Sequence, residues 1–442
     1  MSVESPVPPS ARGPNLLTQV LYTFSNRSLA MLLGVLAGIL VSRLLGAEGR
    51  GHYAVIISIA TIATALGHLS VEQSQALLFT HEPQSRSSVA ANSVYLGLGW
   101  GAIVAGVTFV VVKSLGPSVF PIYATTGLVL GMLYIPLATG TIWTQQSLLL
   151  RGRMTAFNLG PVLSAFVLAA GVGLLAISGL LTVTSVIAVW ASSVAVTLAV
   201  AAGALKAHPR DVDLRLWVRT ARLGLRYHPG MASFLLLMRV DVLILNAMTD
   251  ARLVGLYTLA VSVAELINLM TSSVANVLVG RQFSGTDAES VRATALSARI
   301  NLLVGCALGI GLVVVSPILV PLVYGADFKE SVPALMALVP GIVTLAWARG
   351  IGAYFVRRDK PLLVSLLAFG AVAVNVALNL LLIPLWGIVG ASLASSVAYF
   401  GYATASITAF TRMATVSWHD LVPSGADFRR LAVHLRSSRG KR

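Results

Sequence analysis

The sequence predicts an all-α polytopic membrane protein, with about twelve transmembrane helices in two six-helix bundles around a central cleft. Three observations lead there. Apolar runs long enough to cross a bilayer recur along the chain. Basic residues collect in alternate gaps between those runs, and one short string returns six runs later.

The apolar runs come first. Of 442 residues, 56% are hydrophobic and only 11% are charged, against about 25% charged in a typical soluble domain. The mean hydropathy is +0.84. So little polar surface does not clothe a water-soluble globule of this length. Runs of about 20 apolar residues match the roughly 30 Å hydrocarbon thickness. Lipid offers the backbone no hydrogen-bond partners, so each run closes its own bonds as a helix. The predicted spans are 16–45, 52–80, 88–112, 119–149, 156–178, 181–203, 228–248, 253–280, 295–324, 332–356, 361–384 and 387–411. They divide the chain into a poorly ordered Pro-rich arm (1–14), a first bundle (15–204), a linker (205–227), a second bundle (228–411) and a basic tail (412–442).

Charge sets the expected orientation. With both termini cytoplasmic, 23 of the 31 Lys and Arg fall inside and five (Arg43, Arg50, Lys113, Arg252, Lys329) outside. This is the positive-inside pattern, expected here for a multi-pass protein of the cell membrane. It also accounts for the net charge of +15 without nucleic acid as a partner. The single cysteine, Cys306, excludes a disulfide framework and reads as a small packing residue. In the linker, Arg215, Arg219, Arg222 and Arg226 form one helical stripe, and Leu214, Trp217, Val218, Ala221 and Leu225 the opposite one. The spacing predicts an amphipathic helix on anionic cytoplasmic headgroups, with a substrate-phosphate or regulatory role as the alternative.

The repeat comes next. After the first span the chain reads Leu44-Leu-Gly-Ala-Glu-Gly-Arg-Gly51-His-Tyr53, and after the seventh Ala247-Met-Thr-Asp-Ala-Arg-Leu-Val-Gly255-Leu-Tyr257. Both place a short loop and Gly-x-Tyr at the mouth of the next helix. Six intervening helices give the copies one orientation, so their axis runs along the membrane normal. Two bundles facing across a cleft suit alternating access.

These strings carry a family resemblance. Arg239-Val-Asp241 with Val254-Gly-Leu-Tyr-Thr-Leu-Ala260 resembles the second-half signature of polysaccharide biosynthesis proteins of the oligosaccharide flippase type. Leu44–Tyr53 resembles its first-half counterpart, and Pro321–Phe328 and Asn379–Gly390 are similar to further strings of that family. The resemblance spans nearly the whole chain and implies the multidrug/oligosaccharidyl-lipid/polysaccharide (MOP) transporter superfamily. Its members move polyprenyl-diphosphate-linked sugars, peptidoglycan precursors or drugs. Lipid II flippases of the superfamily usually carry fourteen helices and the multidrug branch twelve. The implied function is a flippase for a lipid-linked oligosaccharide. The implied partners are that substrate, membrane lipids, a glycan polymerase and glycosyltransferases. A cation-coupled multidrug exporter and a non-transporting scaffold for glycan assembly are the alternatives.

Candidate site residues are the ionisable groups at membrane depth, each costing on the order of 2.5–3.5 kcal/mol on insertion scales. Arg27, Arg239 and Arg349, with Gln145 and Gln146, are the candidate substrate contacts; Glu72, Asp241 and Glu265 are the candidate coupling carboxylates. Arg27 and Glu72 lie at similar depths, so they form either an ion pair or separate sites. Asp241 and Glu265 read as a proton or sodium site, or as structural bridges between the seventh and eighth spans. Arg349 reads as a cleft residue or as one that snorkels. Gln145 and Gln146 line the cleft or bond a neighbouring helix. Gly34 and Gly38 read as a close helix-packing motif. No metal-ligand cluster, nucleotide-binding loop or nucleophile–base arrangement is visible, so neither an enzyme nor a cofactor is expected.

Overall fold

The computed structural model describes residues 16–82, 85–116, 126–284 and 286–424. The expected flexible arm (1–14) and most of the basic tail lie outside the described residues. Ten helices among the described residues are long and apolar enough to cross a membrane. Two of these reverse direction midway, giving twelve crossings. Leu16–Gly67 turns at Gly46 (φ 68°), which separates α1 (16–45) from α2 (47–67). Pro361–Ala414 turns at Gly387 (φ 56°), separating α14 (361–386) from α15 (388–414). A single left-handed residue makes each reversal, which glycine adopts without steric cost. The sharpness shows in Arg50, whose side chain returns to Ser42 on the preceding helix.

The remaining first-half elements are α3 (Val71–His81), α4 (Arg86–Leu115, with a π-helical turn at Asn92–Leu96), α5 (Thr126–Leu150), α6 (Met154–Ile177) and α7 (Val183–Leu205). Helix α8 (Leu214–Gly224) is the linker. The second half comprises α9 (His228–Met248), α10 (Ala251–Ser284), α11 (Asp287–Tyr324), α12 (Ser331–Trp347) and α13 (Ile351–Arg357), followed by α14 and α15. The second expected span is broken. Leu69 and Ser70 both take positive φ, so α2 ends and α3 begins a new direction. The tenth expected span breaks at Gly350 (φ 94°) between α12 and α13.

The halves repeat in detail. Gln75 donates to Ser93 Oγ at 2.9 Å in the first half, and Gln282 donates to Thr294 Oγ1 at 2.9 Å in the second. In each, a buried glutamine of one helix ties it to the next crossing. The largest apolar core joins α2, α5 and α7 of the first half to α9, α10, α12, α14 and α15 of the second. The two halves meet along α1 and α2 on one side and α9 and α10 on the other.

The closest approach of the halves is at the end of the bundle that carries Gly46. A Cβ on Gly51 would lie 1.7 Å from the Ala251 carbonyl oxygen, and a Cβ on Gly255 would lie 1.8 Å from that of Ala47. Helices α2 and α10 therefore touch backbone to backbone through two copies of Ala-x-x-x-Gly, the small-residue spacing that lets membrane helices approach closely. The Gly-x-Tyr repeat is this crossing.

Three sequence expectations change. Gly34 and Gly38 do not mediate packing: nothing lies within 4 Å of a Cβ at either. Cys306 is exposed on α11 rather than packed. Trp217 and Ala221 of α8 turn inward against Val71 and Trp143 instead of joining an outward apolar face.

Candidate functional site

A cavity of about 470 Å³ lies between the halves. One wall is the stripe Met31, Gly34, Val35 and Gly38 of α1, whose spacing is one helix face. The glycines leave room there, which is why their Cβ positions are empty. The opposite wall is the α10 stripe Ser262, Glu265, Leu266, Asn268, Leu269 and Ser272. Arg50 and Tyr324 close the Gly46 end, and Arg349 lies on the remaining side.

Arg50 is the residue that sequence reasoning placed wrongly. Counted there as an outside-loop arginine, it is buried at 7% exposure in the first turn of α2. The reversal at Gly46 needs only one residue, so helix resumes at Ala47 and carries Arg50 into the bundle. Its guanidinium donates to Ser42 Oγ at 2.5 Å on α1, and to Thr258 O at 3.3 Å and Ser262 Oγ at 3.0 Å on α10. One side chain thus joins three helices and both halves, one turn beneath the glycine crossing. Arg43 adds a second tie at this end, donating to Leu322 O of α11 at 3.2 Å. A signal for Arg50 existed in the repeat: the residue before Gly51 is arginine, where the residue before Gly255 is Val254.

Arg349 does not snorkel. The break before α13 turns it into the cavity, where it donates to Asn268 Oδ1 at 2.7 Å. The Nε of Arg349 and that of Arg50 have no hydrogen-bond partner among the described residues.

Glu265 enters the same cavity and is held by Arg239 of α9 at 3.2 Å. Both side chains are about one-third exposed, so solvent screens the pair and its net contribution is modest. With Glu265 matched by Arg239, Arg50 and Arg349 leave the cavity net cationic. Asn268, Ser262 and Ser272 add neutral polar groups.

Arg27 stands one helical turn from Met31 on the cavity stripe, exposed, with its guanidinium 5.9 Å from the Phe157 ring. It does not meet Glu72. That carboxylate pairs with His68 Nδ1 at 3.2 Å, at the α2–α3 break, where the His68 and His228 rings approach to 5.3 Å. Glu72 is thus remote from the cavity lining. Gln145 donates to Phe157 O of α6 at 3.3 Å, bonding a neighbouring helix rather than the cavity; Gln146 is half-buried on the same helix.

Asp241 is separate again. Two residues from Arg239, it points away from the cavity into the second half, at 1% exposure. Tyr257, the tyrosine of the repeat, donates its hydroxyl to Oδ2. Ser395 of α15 donates to the same oxygen at 2.9 Å, and the Val242 N–H donates to Oδ1 at 2.8 Å. Asn375 of α14 donates to Ser395 Oγ at 3.2 Å, and Asn379 donates to Asn375 Oδ1 at 3.0 Å. Asn379 Oδ1 is buried with no donor to it among the described residues. A carboxylate, two amides and two hydroxyls are therefore linked in one buried hydrogen-bonded chain, in which the sequence had pointed to Asp241, to Tyr257 through the repeat and to Asn379 through the resemblance, but not to Asn375 or Ser395.

No protein-family model matches the sequence, and no curated protein does. Solved structures do match its backbone. An inward-facing multidrug resistance MATE family transporter of the MOP superfamily aligns with a TM-score of 0.69 at 16% identity, over 89% of this chain and 98% of that one. The fold is that of the MOP superfamily transporters. A MOP superfamily transporter from Pyrococcus furiosus, described by a reverse polarity of its binding pocket, aligns at 0.68 with 14% identity, over 90% and 95% of the two chains. The lipid II flippase MurJ, in an inward closed conformation, aligns at 0.68 with 12% identity, over 92% and 89%. These neighbours are membrane transporters, not enzymes. Identities this low establish a shared architecture; cargo has to be argued from the cavity.

Proposed function

We propose that this protein is a flippase that carries a polyprenyl-diphosphate-linked oligosaccharide from the cytoplasmic to the outer leaflet by alternating access, for cell-surface polysaccharide synthesis. The observation behind this reading is the cationic cavity between the halves. Arg50 and Arg349 face a space whose one carboxylate among the described residues, Glu265, already has its own arginine. Guanidinium groups suit phosphate oxygens through their paired donors. A volume of about 470 Å³ falls in the roughly 300–1,000 Å³ range of small-molecule sites. It accommodates a diphosphate head with its first sugar, while the polyprenyl tail stays in lipid.

In this reading the Gly46 end faces outward and both termini are cytoplasmic, in the cell membrane, as the charge distribution favours. The diphosphate enters from the cytoplasmic side and meets Arg349. It then competes with Thr258 and Ser262 for Arg50. Drawing Arg50 off α10 removes a tie that holds the outer end shut, so loading loosens the crossing above it. A negative interior favours outward passage of two negative charges by about 4–5 kcal/mol per 100 mV. The buried cluster around Asp241 is the proposed site for a coupling proton or monovalent cation. Arg27 is the proposed cytoplasmic entry contact, and Glu72 serves the α2–α3 break rather than the cargo. A glycan polymerase and glycosyltransferases are the partners such a role requires.

A cation-coupled exporter of cationic drugs is the second reading, favoured by the buried Asp241. It asks for an acidic cavity, and Glu265 neutralised by Arg239 does not supply one. The deciding experiment deletes the gene and labels lipid-linked glycan from outside the cell. The flippase reading expects the intermediate to accumulate on the cytoplasmic leaflet and become inaccessible; unchanged external labelling overturns it.

A further inference from the structure

We infer that α8 is an anionic-phospholipid anchor that fixes the first half, and not the second, to the headgroup layer. Helix α8 is tied rigidly to the first half at both ends. At its start, the Asp213 N–H donates to Asn92 Oδ1 at 2.9 Å and Asn92 returns a bond to Asp213 O at 2.8 Å. At its end, Gly224 packs on the carbonyls of the α2–α3 break, where a Cβ would lie 2.4 Å from Leu69 O. Between them Trp217 lies against Trp100, ring centroids 5.6 Å apart, and Trp100 itself donates to Gly67 O at 2.7 Å. The helix therefore moves with α2, α3 and α4.

Its other two faces are uncovered. Leu214, Val218 and Leu225 share one edge and are 61%, 36% and 48% exposed. Arg215, Arg222 and Arg226 form the adjoining stripe and are exposed, while Arg219 is committed to Glu82. Among the described residues no acid pairs with those three arginines. An apolar edge beside a row of cations fits acyl chains below and anionic headgroups beside it. Charge complementarity selects anionic phospholipid over neutral phospholipid as the occupant. A lipid-held α8 would keep the first half stationary while α9, which begins four residues later at His228, swings with the second.

The test uses the full chain in vesicles, with a fluorophore on a Val218→Cys variant. The only native cysteine is removed by Cys306→Ser. Nitroxide-headgroup phosphatidylglycerol is expected to quench the probe several-fold more strongly than nitroxide phosphatidylcholine at low salt. Removing the three exposed cations should abolish that preference, so R215Q/R222Q/R226Q should quench equally with both lipids at an unchanged melting temperature. Equal quenching by the two lipids in the parent protein overturns the inference. So does a phosphatidylglycerol preference that survives the triple substitution.

Discussion

Gly51 and Gly255 occupy equivalent places on α2 and α10 and face one another's helix backbone, each against the carbonyl four residues before the other glycine. The contact is its own mirror under exchange of the halves, as a two-fold axis requires. Any side chain at either position forces the helices apart, since Cβ–O distances of 1.7 and 1.8 Å are far inside van der Waals contact. Gly51→Val and Gly255→Val should each open the Gly46 end and hold it open. Transport should fall by at least about tenfold, because a cycle that cannot close one gate cannot return. A cysteine at Ser262, in a Cys306→Ser background, should label faster from that side. Unaltered labelling would mean that the crossing is not the seal.

The Arg50 guanidinium bonds α10 one turn beyond Gly255 and gives a second, separable prediction. Arg50→Gln removes the charge-assisted bonds to Ser42, Thr258 and Ser262. Such bonds contribute roughly 1.5–3 kcal/mol, so affinity for a diphosphate-bearing head should drop about 10- to 100-fold. Arg50→Lys should rescue little, because a single ammonium does not present the fork that reaches acceptors on both α1 and α10. Binding of a short-chain lipid diphosphate to the purified protein reads both variants. Full rescue by lysine would reduce Arg50 to a point charge.

How much of this was legible beforehand depends on the length of the signal. The twelve crossings rest on runs of 20 or more residues, and two helix reversals at single glycines did not blur them. The repeat was legible as Gly-x-Tyr, but its meaning as a backbone crossing was not, because contact across the halves is tertiary. Arg50 escaped because a one-residue turn leaves no loop for it to occupy, and a loop was assumed. Arg349 was seen and its direction was not, since the break at Gly350 sets that direction. Glu72 and Arg27 share a depth but not a side, and depth alone was available from sequence. For Asp241 the carboxylate was visible while Asn375, Asn379 and Ser395, about 134 to 154 residues away, came together only by folding.

The Arg239–Glu265 pair discriminates between the two cargo readings. Glu265→Gln leaves Arg239 uncompensated and raises the positive charge of the cavity. A diphosphate head should then bind several-fold more tightly, whereas a cationic drug should bind less well. Arg239→Gln should do the reverse, and the double substitution should return close to the parent value. At partial exposure each effect should stay near 1 kcal/mol, about fivefold. Paired titrations of the four proteins with an anionic and a cationic ligand measure the signs. Tighter binding of the cation in the Glu265→Gln variant would contradict the charge assignment for the cavity.

Asp241 lies outside the cavity, so its substitution should separate coupling from cargo. Asp241→Asn keeps an acceptor for the Tyr257 and Ser395 hydroxyls and removes the ionisable oxygen. Sites without shared partners act nearly independently, so affinity for the lipid diphosphate should change by less than about twofold. Transport driven by an imposed proton or sodium gradient should fall to the rate measured with no gradient, while a membrane potential alone should still support its share. Asn379→Leu is the companion variant: it deletes the acceptor oxygen that no donor meets among the described residues and leaves the carboxylate in place. If a cation is held there, Asn379→Leu should weaken the gradient dependence in the same direction while leaving the potential-driven component untouched. A gradient response intact in both variants, measured in vesicles with each gradient imposed separately, would make the cluster a structural network joining α9, α10, α14 and α15.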